Sequence, residues 1–187
     1  LPERRDINFY KELGIKEEDM FSMCHYLLDH HTLRPTVEVK DKLAELMKNM
    51  GHVHMDCQDS EIRLLKDGET AAVLVPVPDD REHLLCIHYF SRGQRICTET
   101  YTDRLAYTDY YAAAKPEQGV SAGRIRRAYY HKDGSVAYEQ IYTGERSWYL
   151  FPDGRVLTKT GFIEEFMKKL DLSEQDIVLI DRFAQFD

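Results

Sequence analysis

Four turn pairs punctuate residues 61–157: Asp67-Gly68, Arg92-Gly93, Asp133-Gly134 and Asp153-Gly154. Between them run short segments of β-branched and aromatic residues. Asp-Gly between two apolar runs predicts a hairpin, because both residues tolerate positive φ. Ten of the twelve tyrosines fall between Tyr89 and Tyr149, so residue types that favour strands crowd the same window. The pattern predicts an antiparallel meander of about seven to nine strands. Within it, Val136, Tyr138 and Gln140 are expected on one face, and Ala137, Glu139 and Ile141 on the other. Neither face is cleanly polar, so each needs cover over part of its area.

The flanking segments read differently. Asp6 is placed to cap a short helix carrying Ile7, Tyr10 and Leu13, which Gly14 ends. A second helix carries Met20, Cys24, Leu27 and Leu28 at helical spacing, with Glu17, Glu18 and Asp19 in its first turn. Pro35 interrupts, and a third helix places Val39, Leu43, Leu46, Met47 and Met50 on one face before Gly51. After Lys159, Phe162, Ile163, Phe166, Met167 and Leu170 form another apolar helix face. Then Ile177, Val178, Leu179 and Ile180 stand between Asp176 and Asp181. A continuous apolar run of this kind predicts a strand buried on both faces, as in parallel sheets. The expected fold class is α+β, divided into a helical segment 1–57, a sheet 58–158, and a helix and buried strand 159–187. A lone parallel-type strand needs partners, so the chain is expected to be cut from a larger α/β protein. The first residue, Leu1 rather than Met, agrees with an excised fragment.

Composition excludes several classes. The chain is 43% hydrophobic and 31% charged, with a net charge of -8. It is too apolar for a disordered chain and too charged for a membrane protein. The acidic balance argues against nucleic acid as the main partner. No run approaches the ~18 apolar residues of a membrane span. Cys24, Cys57, Cys86 and Cys97 form no C-x-x-C pair and read as reduced, buried thiols of a cytoplasmic protein. The expected location is the cytoplasm, with peripheral contact at the inner face of the membrane as the alternative.

Candidate chemistry is sparse. His52, His54 and Cys57, near Asp56, are metal-ligating types, but a structural zinc site takes four ligands and only His30-His31 is available to complete it. No metal and no cofactor is therefore expected. Glu38, Asp41 and Glu45, and Glu164 with Glu165, have the spacing of solvated helix faces. G-x-S-x-G, P-loop and G-x-G-x-x-G motifs are absent from the sequence, so no catalytic residue is assigned. Arg92, Arg95, Arg104, Arg124, Arg126, Arg127 and Arg146 interleave with the tyrosines. Arg with Tyr is an interface composition; ordinary cross-strand pairing with Glu is the structural alternative. Tyr107, Tyr110, Tyr111, Arg126, Tyr130 and Trp148 are the expected partner- or acceptor-binding residues. Asp181 and Arg182, ending the buried strand, are the expected cleft-edge residues, since ligands of open α/β sheets gather outside the carboxyl ends of strands. A simple capping role for Asp181 competes with that.

Three stretches resemble one family. They are Arg34 to Val39 after the helical stretch, Tyr129 to Tyr138 in the sheet, and Trp148 to Phe151 followed by Phe162 to Met167 and Asp176 to Arg182. They resemble the N-terminal region of a bacterial GT-B glycosyltransferase group. That group includes the N-acetylglucosamine transferase of the accessory Sec pathway, which glycosylates serine-rich-repeat adhesins, and the poly(glycerol-phosphate) α-glucosyltransferases of teichoic acid chemistry. The resemblance implies two Rossmann-like halves around the donor site, with a β-meander inserted in the first half for acceptor or partner contact. It also implies retaining transfer without a bound metal. The glycine-rich loop would precede Leu1, and the nucleotide-sugar site with its Glu-x₇-Glu segment would follow Asp187.

Two readings from different classes follow. In the first, the chain is the acceptor- or partner-binding module of a cytoplasmic glycosyltransferase. It would contact a protein subunit, a second copy, or a polypeptide or polymer acceptor, and UDP-sugar would bind only in the full-length enzyme. In the second, it is a free-standing β-sheet interaction domain. A small hydrolase using scattered His and Asp is a third, and it would require a pocket of convergent His and carboxylates.

Overall fold

The computed structural model describes residues 12, 14, 16, 28, 35–78, 80–114, 123–144, 146–170 and 173. The expected first helix, most of the second, and the buried strand with Asp181 and Arg182 lie outside the described residues.

The described chain begins with α1 (Val39–Met50) and continues through β1 (His54–Cys57), β2 (Ile62–Lys66), β3 (Glu69–Val77), β4 (Asp80–Ser91) and β5 (Gln94–Tyr101). Next come β6 (Leu105–Tyr111), β7 (Arg124–Tyr130), β8 (Val136–Thr143), β9 (Arg146–Leu150), β10 (Val156–Thr158) and α2 (Lys159–Lys169). All ten strands form one antiparallel sheet in sequential order. The fold class is α+β, as expected. The count exceeds the seven to nine strands read from sequence, because β1 and β10 are edge strands of four and three residues, too short to show an alternation. The sheet accordingly opens at His54, ahead of the boundary drawn after Cys57.

The four turn pairs all connect neighbouring strands, by two mechanisms. Asp67 (φ 54°) and Gly68 (φ 84°) are both left-handed, as are Arg92 (φ 50°) and Gly93 (φ 71°). That is the two-residue hairpin turn whose twist matches the strands. At 133 and 153 only the glycine has positive φ. There the aspartate instead accepts a hydrogen bond from the backbone two residues on, Asp133 Oδ1 from Ser135 N (2.9 Å) and Asp153 Oδ1 from Arg155 N (3.0 Å). The expectation of positive φ at both residues of each pair is corrected for these two turns.

Residues paired across strands share a face. One row crosses the sheet as Met55, Leu64, Ala72, Tyr89, Cys97, Tyr110, Arg126, Ile141, Trp148 and Thr158. The adjacent row, pointing the other way, runs Asp56, Arg63, Val73, His88, Thr98, Asp109, Arg127, Gln140, Tyr149 and Leu157. The two helices cover opposite faces at opposite ends. Val39 and Leu46 of α1 pack with Leu64, Ala72, Leu74 and Ile87, on the face of the first row. Phe162 of α2 packs with Tyr107, Tyr129, Tyr138 and Tyr149, on the face of the second. Leu28, itself buried, joins that second cluster.

Both helices follow their predicted faces with one exception each. Met47 and Met167, read as core, are 39% and 38% exposed. Gly51 ends α1 at φ 76°, and the Thr158 hydroxyl caps α2 by accepting from Gly161 N at 3.2 Å. Among the described residues no helix is long and apolar enough to cross a membrane.

Candidate functional site: an open aromatic–arginine face

With α1 over the first strands of one face, the second half of that same face stays uncovered by the described helices. It carries Tyr110, Arg126, Tyr130, Ile141 and Trp148. The Arg126 guanidinium lies 4.9 Å over the Tyr110 ring and pairs through Nη2 with Glu139 Oε1 on the neighbouring strand. The Tyr130 hydroxyl donates to Thr108 Oγ1 at 3.2 Å. Tyr110 also hydrogen-bonds Tyr130; burial, then that neighbour, pushes the Tyr110 phenol up to about 12. Trp148 stands between Ile141 and Thr158 and is 36% exposed. The result is a broad amphipathic surface of rings with hydroxyl, guanidinium and carboxylate groups at their edges, the composition of contact surfaces between macromolecules.

The six expected contact residues therefore divide. Tyr110, Arg126, Tyr130 and Trp148 share this face. Tyr111 lies elsewhere: alternation along β6 turns it to the α2 side, where the Arg95 guanidinium sits 4.5 Å over its ring. Tyr107 is 6% exposed and belongs to the core, with Tyr129 at 5.6 Å and Arg127 at 4.0 Å over its ring. It has no surface left for a partner.

Sequence reasoning missed the strongest polar interaction of the sheet. Asp109 and Arg127 are directly paired on β6 and β7. Arg127 donates from Nε to Asp109 Oδ1 at 2.7 Å and from Nη2 to Oδ2 at 2.8 Å. Both side chains are nearly buried, at 12% and 7% exposure. The register of β6 against β7 was the signal that would have found it, and that register depends on the bulge. A second missed cluster lies under α1. There the Tyr89 and Tyr101 hydroxyls both donate to Glu99 Oε2, at 2.8 and 2.6 Å.

The hydrolase reading asks for a pocket of convergent His and carboxylates. A groove of about 540 Å³ on the α2 side of β2–β5 holds His88 with Glu61 and Glu69. His88 Nδ1 is engaged by Thr98 Oγ1 at 2.9 Å, and its Nε2 lies within hydrogen-bond reach of Cys86 Sγ at 3.7 Å. Glu61 Oε1 is held by Arg63. Burial, then the Arg95 charge, lowers the His88 pKa. Among the described residues no group of three or more His, Cys, Asp or Glu is placed to hold a metal ion. Cys57, expected buried, is exposed; Cys86 and Cys97 are half-buried, and burial followed by the Glu99 charge pushes the Cys97 thiol up to about 11.

A ten-stranded meander, helices on opposite faces and an open aromatic–arginine surface together define an extended β-sheet domain. The profile of the GtfA extended beta-sheet domain matches residues 54–153, and the chain belongs to that family. It is 26% identical over 183 residues to the UDP-N-acetylglucosamine–peptide N-acetylglucosaminyltransferase GtfA subunit of Streptococcus gordonii, covering 92% of this chain and 33% of that protein. It is 27% identical over 176 residues to the GtfA subunit of Streptococcus parasanguinis, covering 94% and 34%. Among solved structures, a GtfA/B complex matches with TM-score 0.73 and 22% identity, over 88% of this chain and 32% of that one. The chain thus spans about a third of the length of the curated relatives it matches. The sequence resemblance to the accessory Sec N-acetylglucosaminyltransferase type is borne out.

Proposed function

We propose that this chain is the acceptor- or partner-binding sheet of a glycosyltransferase that moves a sugar from a nucleotide sugar to a protein or cell-wall polymer, with catalysis in the remainder of a longer enzyme. The observation that carries the reading is the open face of Tyr110, Arg126, Tyr130 and Trp148. Natural sheets seldom leave such a surface bare unless a partner uses it. The relatives are named as glycosyltransferase subunits and the neighbouring structure as a GtfA/B complex, which supports a protein partner. In this reading residues 58–158 are an insert, while 1–57 and 159–187 belong to a Rossmann-like half. Asp181 and Arg182 then stand at the edge of its cleft. The enzyme works in the cytoplasm or at the inner face of the membrane.

Two measurements test it. The 187-residue chain with UDP-N-acetylglucosamine and an unglycosylated serine-rich peptide is expected to transfer no sugar, because donor and acceptor are not oriented together. Turnover abolished by a substitution within 1–187 would sink the proposal. In the full-length enzyme, Trp148→Ala is expected to raise KM for the acceptor, or weaken the partner subunit by about 2 kcal/mol or more, with kcat retained. A loss of kcat alone would make the face catalytic instead.

A further inference from the structure

The opposite side of the sheet carries a different surface, independent of the Trp148 face. Across four neighbouring strands, Arg95 (β5), Tyr111 (β6), Arg124 (β7) and Tyr142 (β8) alternate cation and ring. The Arg95 guanidinium lies 4.5 Å over Tyr111, and that of Arg124 lies 4.4 Å over Tyr142. The Tyr142 hydroxyl is fixed by donating to Gln140 Oε1 at 2.8 Å. A guanidinium over a ring face contacts it through its π surface and keeps N–H donors for a bidentate oxyanion.

These two cations are short of anions. Among the described residues Arg95 has no carboxylate within ion-pair distance. Arg124 reaches Asp109 only at 3.4 Å, and that carboxylate is already held at 2.7 and 2.8 Å by Arg127. Both arginines are exposed. A chain of net charge -8 that nonetheless gives Arg95 no carboxylate among the described residues, and Arg124 only a long bond to one already shared, has a local surface complementary to acidic groups.

We propose that this row docks an acidic polypeptide segment, two of whose side-chain carboxylates pair with Arg95 and Arg124. The strands involved are internal, so their backbone groups are committed to the sheet and the ligand must be held by side chains. Arg95 and Arg124 stand two strands apart, roughly 9.5 Å at the usual strand spacing. An extended polyproline-II segment advances ~3.1 Å per residue, so carboxylates at positions i and i+3 lie about 9.3 Å apart on one side. The spacing therefore fits a segment crossing the strands with an acidic residue every third position. A phosphate polymer fits less well. Its affinity comes from neutralising many phosphates, and this row offers two guanidiniums on a protein that is acidic overall.

The test is fluorescence anisotropy with the 187-residue chain and a labelled peptide repeating Asp-Pro-Pro. The expected result is binding that Arg95→Gln and Arg124→Gln each weaken at least tenfold, while Arg146→Gln, an exposed arginine outside the row, leaves it unchanged. Arg124→Lys keeps the charge but loses the flat fork, and is expected to fall between wild type and Arg124→Gln. Unchanged melting temperature in the Arg95 and Arg146 variants ties the effect to binding. Equal affinity for the Asn-Pro-Pro analogue, or no dependence on Arg95 and Arg124, would refute the proposal. So would absence of binding. Tighter binding of inorganic polyphosphate with the same arginine dependence would overturn it in favour of a phosphate polymer.

Discussion

Asp109→Ala is expected to be among the most damaging polar substitutions in the sheet. It removes the carboxylate that receives two short hydrogen bonds from Arg127 and a longer one from Arg124. The Arg127 side chain, 12% exposed, would keep its charge between the Tyr107 and Tyr129 rings with no counter-ion. Breaking a buried pair by deleting one partner costs about 3–5 kcal/mol, chiefly from the charge left behind. For a chain of this size each kcal/mol moves Tm by roughly 2–4 °C, so the expected drop is roughly 6–20 °C. The internal control is Glu139→Gln, which weakens the Arg126 pair on the opposite face. There the side chains are 41% and 25% exposed, solvent screens the interaction, and the expected cost is about 0–1 kcal/mol. Urea titration of both variants, with Tm from circular dichroism, measures the difference. Replacing the pair together, as Asp109→Leu with Arg127→Met, is expected to recover much of the loss, because no charge is then stranded. If Asp109→Ala costs no more than Glu139→Gln, the pair is not the buried linchpin that its geometry implies.

Further outcomes follow from the backbone, the imidazole and the thiols. Gly93→Ala is expected to destabilise by about 1–2 kcal/mol, since φ is 71° and a Cβ there meets nothing, leaving only the backbone penalty. Gly161→Ala in α2, where the nearest atoms to a new Cβ are at 3.6–3.8 Å, is expected to stabilise by up to about 1 kcal/mol in the same melts. Because the His88 pKa is lowered on folding, its contribution is fully present above the unfolded value of about 6.5 and is lost as pH falls through the folded one. Tm measured between pH 7.5 and 5 should therefore fall more steeply in wild type than in His88→Gln, and parallel curves would contradict the assignment. Cys57, exposed on the edge strand, is expected to react with a thiol reagent well before the half-buried Cys97; mass spectrometry of partly labelled protein showing the reverse order would place Cys97 outside the sheet.

Much of the fold was written in local chemistry. Turn pairs with positive-φ residues fix where strands end, and the 3.6-residue spacing of Val39, Leu43 and Leu46, and of Phe162 and Phe166, marks the helices. Which tyrosines stay open was not legible. Tyrosine occurs on both faces, and the decision depends on where the helices land. Since α1 and α2 cover opposite faces, Tyr107 and Tyr149 become core under α2, while Tyr110 and Trp148 remain open. Register added a second obstacle. Bulges at Ile96 on β5 and Ile125 on β7, opposite Tyr89/Phe90 and Tyr110/Tyr111, shift the alternation, so Arg95 and Arg124 sit opposite to what simple counting predicts. The Asp109–Arg127 pair spans 18 residues and follows from tertiary register alone.

The central claim is that the Tyr110, Arg126, Tyr130 and Trp148 face is a contact surface of a glycosyltransferase. Hydroxyl-radical footprinting reads it at the side chains themselves. The parent enzyme would be oxidised alone, with its partner subunit, and with an unglycosylated serine-rich acceptor. Oxidation of Trp148, Tyr110 and Tyr130 is expected to fall severalfold in at least one assembly, while the buried Tyr107 stays equally protected throughout. Trp148 remaining as reactive in every assembly as in the free enzyme would contradict the account.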